Sequence, residues 1–110
     1  MADAGEFPFH GLVIWLTPEQ GGRKTGPPVP GSAWPYYAVT AYVPPRTADT
    51  GLASFILRNF HAGAWRSYAE GCWLVADVHG NQVVQPGSII TVTEGARVVA
   101  YFTVQHVADS

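Results

Sequence analysis

Proline and glycine cut this chain into short runs, and the runs are dense in β-branched and aromatic residues. Such runs favour strands, because branched and aromatic side chains pack well on a pleated surface. Six candidate strands stand out: Phe9–Thr17, Tyr36–Val43, Leu52–Phe60, Cys72–Val78, Ser88–Thr93 and Arg97–Gln105. Between them lie turn formers: Pro44-Pro45, His79-Gly80-Asn81 and Pro86-Gly87. The stretch Gly21–Pro35 holds Gly22, Gly26, Gly31 and the prolines 27, 28, 30 and 35, which exclude a helix there. Glu94-Gly95-Ala96-Arg97 sits between two strong strands and reads as a tight hairpin, with Gly95 free to take positive φ. Only Ala62–Tyr68 has room for a short helical turn, and no stretch sustains a 3.6-residue period. Short strands with such loops suggest a closed barrel or a small sandwich. The expected fold is all-β: a small closed antiparallel β-barrel of about six strands, Greek-key type. It forms one domain over residues 1–110, with its core at about 9–105.

A length of 110 residues suits one domain, and a hydrophobic content of 47% supplies one core. Charged residues are only 13% of the chain, against about 25% in ordinary proteins. Leu12–Leu16 and Tyr36–Val43 are apolar on both faces. A barrel interior takes one face of each, so the outer face calls for a cover, either a protein partner or a second copy. The net charge is −2. Nucleic-acid binders draw most of their affinity from phosphate neutralisation, and this chain has no basic surplus for it. Of Arg23, Lys24, Arg46, Arg58, Arg66 and Arg97, only the first two are adjacent.

The single cysteine, Cys72, forms no intrachain disulfide and gives no sign of an oxidising compartment. The stretch Met1–Phe9 carries Asp3 and Glu6 and no basic residue, unlike a secretory signal. No apolar run approaches the roughly 20 residues of a spanning helix. The expected setting is cytoplasmic, with no membrane partner.

Leu16-Thr17-Pro18-Glu19-Gln20-Gly21-Gly22-Arg23-Lys24-Thr25 resembles the opening of the C-terminal β-barrel domain of bacterial elongation factor Tu. That opening is a strand, an acidic turn, Gly-Gly-Arg, a variable residue and Thr. Pro86-Gly87 followed by Ser88–Val99 is similar to the same domain's closing hairpin, with an acidic-glycine turn and then an arginine. The resemblance spans roughly Phe9–Val104 and implies a six-stranded barrel without the GTPase domain. No phosphate-cradling glycine loop accompanies it, so nucleotide hydrolysis is set aside. In that family the barrel touches the T-stem backbone of aminoacyl-tRNA and packs on the GTPase domain. The positions that carry over are Arg23, Lys24 and Thr25 in the first loop and Gly95 in the hairpin. Trp34 stands where the family has an arginine before a proline, and the loop here is richer in proline.

These residues define a candidate macromolecule-binding set: Arg23, Lys24, Thr25, Trp34, Gly95 and Arg97. Glycines 21 and 22 either bring backbone close to a phosphate or simply serve the turn, in which case Arg23 pairs with Glu19 or Glu94. Trp34-Pro35-Tyr36-Tyr37 offers aromatics for stacking on bases or a proline-rich peptide. It serves equally as a plug for the barrel end. Trp15, Trp65 and Trp73 read as core or interface. Among His10, His61, His79 and His106, none has zinc-ligand spacing to another or to Cys72. Glu70 and Asp77 stand at an odd offset that opposes them across a strand. The sequence thus points to a non-enzymatic binding module without cofactor or metal. Its favoured partner is a protein. The alternatives are weak tRNA or RNA-backbone binding through Gly21–Thr25, and a homo-oligomeric structural role.

Overall fold

A computed structural model of the chain describes residues 7–29, 36–44, 47, 53–74, 84–95 and 97–108. Six strands form: β1 (Phe9–Trp15), β2 (Tyr36–Tyr42), β3 (Ala53–Arg58), β4 (Arg66–Trp73), β5 (Ile89–Glu94) and β6 (Arg97–Val107). They close into a barrel in the order β1-β4-β3-β2-β5-β6. Every neighbouring pair is antiparallel. β2, β3 and β4 form a meander, and β1 reaches its place beside β4 through the long connection before β2, which is a Greek key. The β5–β6 hairpin then bridges β2 and β1 and closes the barrel, with β2 meeting β5 through Thr40–Tyr42.

Alternation along the strands sends one side chain in and the next out. From β1, Phe9, Val13 and Trp15 point inward; from β3, Phe55 and Leu57; from β5, Ile90 and Val92; from β6, Phe102 and Val104. Full burial of each large apolar side chain contributes about 1.5–3 kcal/mol. Phe55 is the hub, with ring centroids 4.9 Å from Trp73, 6.2 Å from Phe102 and 6.4 Å from Phe9. β4 makes room for these rings by presenting Ala69 and Gly71 to the interior. A Cβ on Gly71 would lie 2.5 Å from Phe55 Cζ.

The fourth strand departs from the sequence expectation. It runs over Arg66–Trp73, not Cys72–Val78, and the segment expected to hold a helical turn at Ala62–Tyr68 instead ends inside this strand. The physical reason lies in β4's inward positions, Ser67, Ala69 and Gly71, which are small and lack the hydrophobic alternation that marks a strand. Residues 75–83 lie outside the described residues. β1 ends at Trp15, two residues short of the expected bound, because Thr17 caps a single 3₁₀ turn over Pro18–Gln20. β3 ends at Arg58, two residues before the expected bound, and β6 runs on to Val107; Leu52 lies outside the described residues. Among the described residues no helix is long and apolar enough to cross a membrane.

Candidate functional site

Residues 16–29, the described part of the β1–β2 connection, cap one end of the barrel. Thr17 Oγ1 accepts from the Gln20 backbone N–H at 3.2 Å, and Gln20 Oε1 accepts from the Thr17 N–H at 2.9 Å, a reciprocal capping box. Gly21 then reverses the chain at φ 89°. A Cβ at Gly22 would sit 2.3 Å from the Leu16 carbonyl oxygen. Turn geometry and close backbone approach therefore account for both glycines. Gly26, Pro27 and Pro28 are buried, and the Pro28 carbonyl accepts from the Gly63 N–H at 3.3 Å. Beneath this cover Trp15, Tyr37 and Phe60 plug the barrel, with centroids 5.3–6.3 Å apart.

Arg23 is locked into this end. Its Nε donates to Glu94 Oε2 at 2.9 Å, its Nη1 donates to the Gly26 carbonyl at 2.6 Å, and its guanidinium carbon lies 5.6 Å from the Tyr37 ring centroid. The Tyr37 hydroxyl donates to the same Glu94 oxygen. Burial, reinforced by the hydrogen bond and charge of Glu94, pushes the Tyr37 phenol far above its ordinary range, while Arg23 pulls it partly back. Arg97 Nη1 donates to the Gly22 carbonyl at 3.3 Å. Glu94 and Arg97 face each other across the hairpin turn, where Gly95 has φ 63°. The barrel thus gathers Arg23, Gly95 and Arg97 at one end, with Lys24 and Thr25 exposed on the same loop. Of the two pairings open to Arg23, Glu94 is the partner. Trp34 lies outside the described residues.

No protein-family model matches the chain, and no curated protein matches it at significance. The elongation factor resemblance therefore rests on the two motifs alone.

The outward face of β4, β1, β6 and β5 is a second candidate surface. Cross-strand register sets Tyr68 beside Leu12, Leu12 beside Thr103, and Thr103 beside Ile89. The next row runs Arg66, Ile14, Tyr101 and Thr91. Tyr68 is 71% exposed, Ile89 48%, and Ile14 and Tyr101 each 40%. Directly opposed side chains on neighbouring strands lie about 4.5–5.5 Å apart, so Tyr68 and Leu12 in one row and Ile14 and Tyr101 in the next form, with Ile89, an apolar and aromatic patch interrupted by Thr103; Thr91 at the end of the second row is buried. Arg66 is the one formally charged residue in the two rows.

A third grouping borders that patch. His10 faces Glu70 on β4 and His106 on β6, and the two imidazole centroids are 5.8 Å apart. Chain spacing gave no sign of this pair; barrel closure between the first and last strands creates it. Glu70 Oε1 accepts from Arg58 Nε at 2.7 Å and from Asn59 Nδ2 at 3.1 Å. Asp77 and His79 lie outside the described residues. His61 sits by Ser67, whose Oγ accepts from the His61 N–H at 3.0 Å. Cys72 lies five residues beyond Ser67 on β4. Among the described residues no three His, Cys, Asp or Glu side chains group closely enough to hold a metal.

Proposed function

We propose that this chain is a non-enzymatic binding module, that its partner is a protein, and that the contact surface is the outward face of β4, β1, β6 and β5. The observation that carries the reading is the two-row patch of Tyr68, Leu12, Ile89, Ile14 and Tyr101. Exposed tyrosines on a nearly uncharged surface supply large contact area at low entropic cost, as at protein interfaces. The chain's low charge content supports the same reading. Kinship with the elongation factor barrel, which serves its family as a docking domain, is part of the proposal. The RNA-backbone reading draws less support, because Arg23 is paired with the Glu94 carboxylate and donates to the Gly26 carbonyl. Arg97 in turn donates to the Gly22 carbonyl and faces Glu94 across the hairpin, which leaves Lys24 as the exposed cation of the loop.

Charge placed on the patch tests the proposal. Ile14→Lys with Tyr101→Lys is expected to release the chain from its native complex, shifting its elution to the free monomer. Lys24→Glu with Arg97→Glu is expected to leave the complex intact. The reverse pattern contradicts the reading. If the purified wild-type chain alone forms the complex and the patch variant does not, the occupant is a second copy.

A further inference from the structure

We propose that His10 and His106 form a two-imidazole site for a borderline transition-metal dication such as Zn2+ or Cu2+, pinning the first strand of the barrel to the last. The register sets the two residues directly opposite one another on β1 and β6, next to the irregularity where β6 gains a residue between His10 and Gly11. Their ring centroids are 5.8 Å apart at an interplanar angle of 77°. Metal–imidazole nitrogen bonds are about 2.0–2.1 Å long. Adding the reach from each nitrogen to its ring centre, one ion spans two imidazoles at this separation. The present edge-on contact needs one ring to turn, and His106 is exposed at the rim. Exposed side chains change rotamer in picoseconds to nanoseconds.

The second observation is the hydrogen bond on the other ring. His10 Nε2 is 3.1 Å from the Phe7 carbonyl oxygen. The carbonyl only accepts, so Nε2 is the donor, and in the neutral ring Nδ1 is the nitrogen with the lone pair. This orienting bond, from the non-ligating nitrogen to a backbone carbonyl, is the one metal-bound histidines characteristically make. Beside the pair opens a hollow of about 350 Å³ lined by Tyr68, Asn59, Glu70 and Gln105, with room for the waters that complete a shell. Glu70 is not counted as a ligand, because Arg58 and Asn59 hold its Oε1. Imidazole suits Zn2+, Cu2+ and Ni2+, whereas hard Mg2+ and Ca2+ prefer oxygen.

The test is calorimetric titration of the full chain with ZnCl2 and with MgCl2. One saturable Zn2+ site and no Mg2+ site are expected. His10→Gln and His106→Gln should each weaken Zn2+ binding by at least about 10–100-fold, the loss seen when even an orienting partner is removed. His61→Gln should leave it unchanged. A measurement without substitutions guards against misfolding: substoichiometric Cu2+ should broaden the His10 and His106 ring resonances of the wild-type chain before those of His61. No saturable Zn2+ binding, binding that survives both substitutions, or broadening centred on His61 overturns the inference.

Discussion

Gly71→Ala probes the barrel's interior with one carbon atom. Gly71 does not have a positive φ, so backbone strain plays no part and sterics decide the outcome. The new Cβ would meet Phe55 Cζ at 2.5 Å, Phe55 Cε2 at 2.9 Å and Phe102 Cε2 at 3.2 Å. Carbon atoms prefer about 3.5–4.0 Å, so the nearest contact is about 1 Å too short. Both rings are fully buried, and Phe55 is held by Phe9, Trp73 and Phe102. Neither ring can swing into solvent. Overpacking of this kind costs about 1–3 kcal/mol, and the double contact puts Gly71→Ala at about 2–3 kcal/mol. Each kcal/mol moves the melting midpoint of a domain near this size by about 4–8 °C, so a drop of roughly 10 °C or more is expected. Urea unfolding followed by tryptophan fluorescence supplies the free energy. Phe55→Leu removes Cζ, so the double variant should be more stable than the summed singles by at least about 1 kcal/mol. A Gly71→Ala effect under about 0.5 kcal/mol, or strict additivity with Phe55→Leu, refutes the packing argument.

Other substitutions separate structure from binding at the loop end. Arg23→Ala should destabilise by about 1–2 kcal/mol, because it strips a charged partner from Glu94 and a donor from the Gly26 carbonyl; Lys24→Ala, exposed on the same loop, should stay within about 0.5 kcal/mol in urea unfolding. Tyr37 sets an alkaline limit. Its phenol is raised in the folded state. Above the ordinary tyrosine value of about 10, the unfolded chain therefore loses a proton that the folded chain keeps. Stability is intact below that pH and declines above it, by part of the limiting ~1.4 kcal/mol per pH unit because Tyr37 is partly solvated. Tyr37→Phe should flatten that decline in alkaline unfolding. Titration of the wild-type chain with bulk tRNA at low salt should show no saturable change in tryptophan fluorescence, whereas a saturable signal with a steep salt slope would restore the RNA reading.

The barrel was legible where the strands carry their own pattern. β5 and β6 are dense in β-branched and aromatic residues, and the two-residue hairpin at Gly95 follows from Glu94-Gly95-Ala96-Arg97. β4 was not, because its share of the interior is space for Phe55 and Phe102, supplied by Ala69 and Gly71. A strand that contributes room in place of bulk has no hydrophobic period to read. At the loop end the sequence named the partner of Arg23 as one of two carboxylates. Only the barrel register brings Glu94 there, from 71 residues away. The Tyr68–Leu12–Ile89 row and the His10–His106 pair were invisible for the same reason, since each joins strands distant in the chain.

The outward patch is tested most directly by a photo-crosslinking amino acid placed at Tyr101, and separately at Thr25, in the chain expressed at native levels. The account predicts one discrete protein adduct from position 101, lost when Ile14→Lys is added, and none from position 25. Adducts from position 25 alone, or protein adducts at 101 that persist with Ile14→Lys, contradict it.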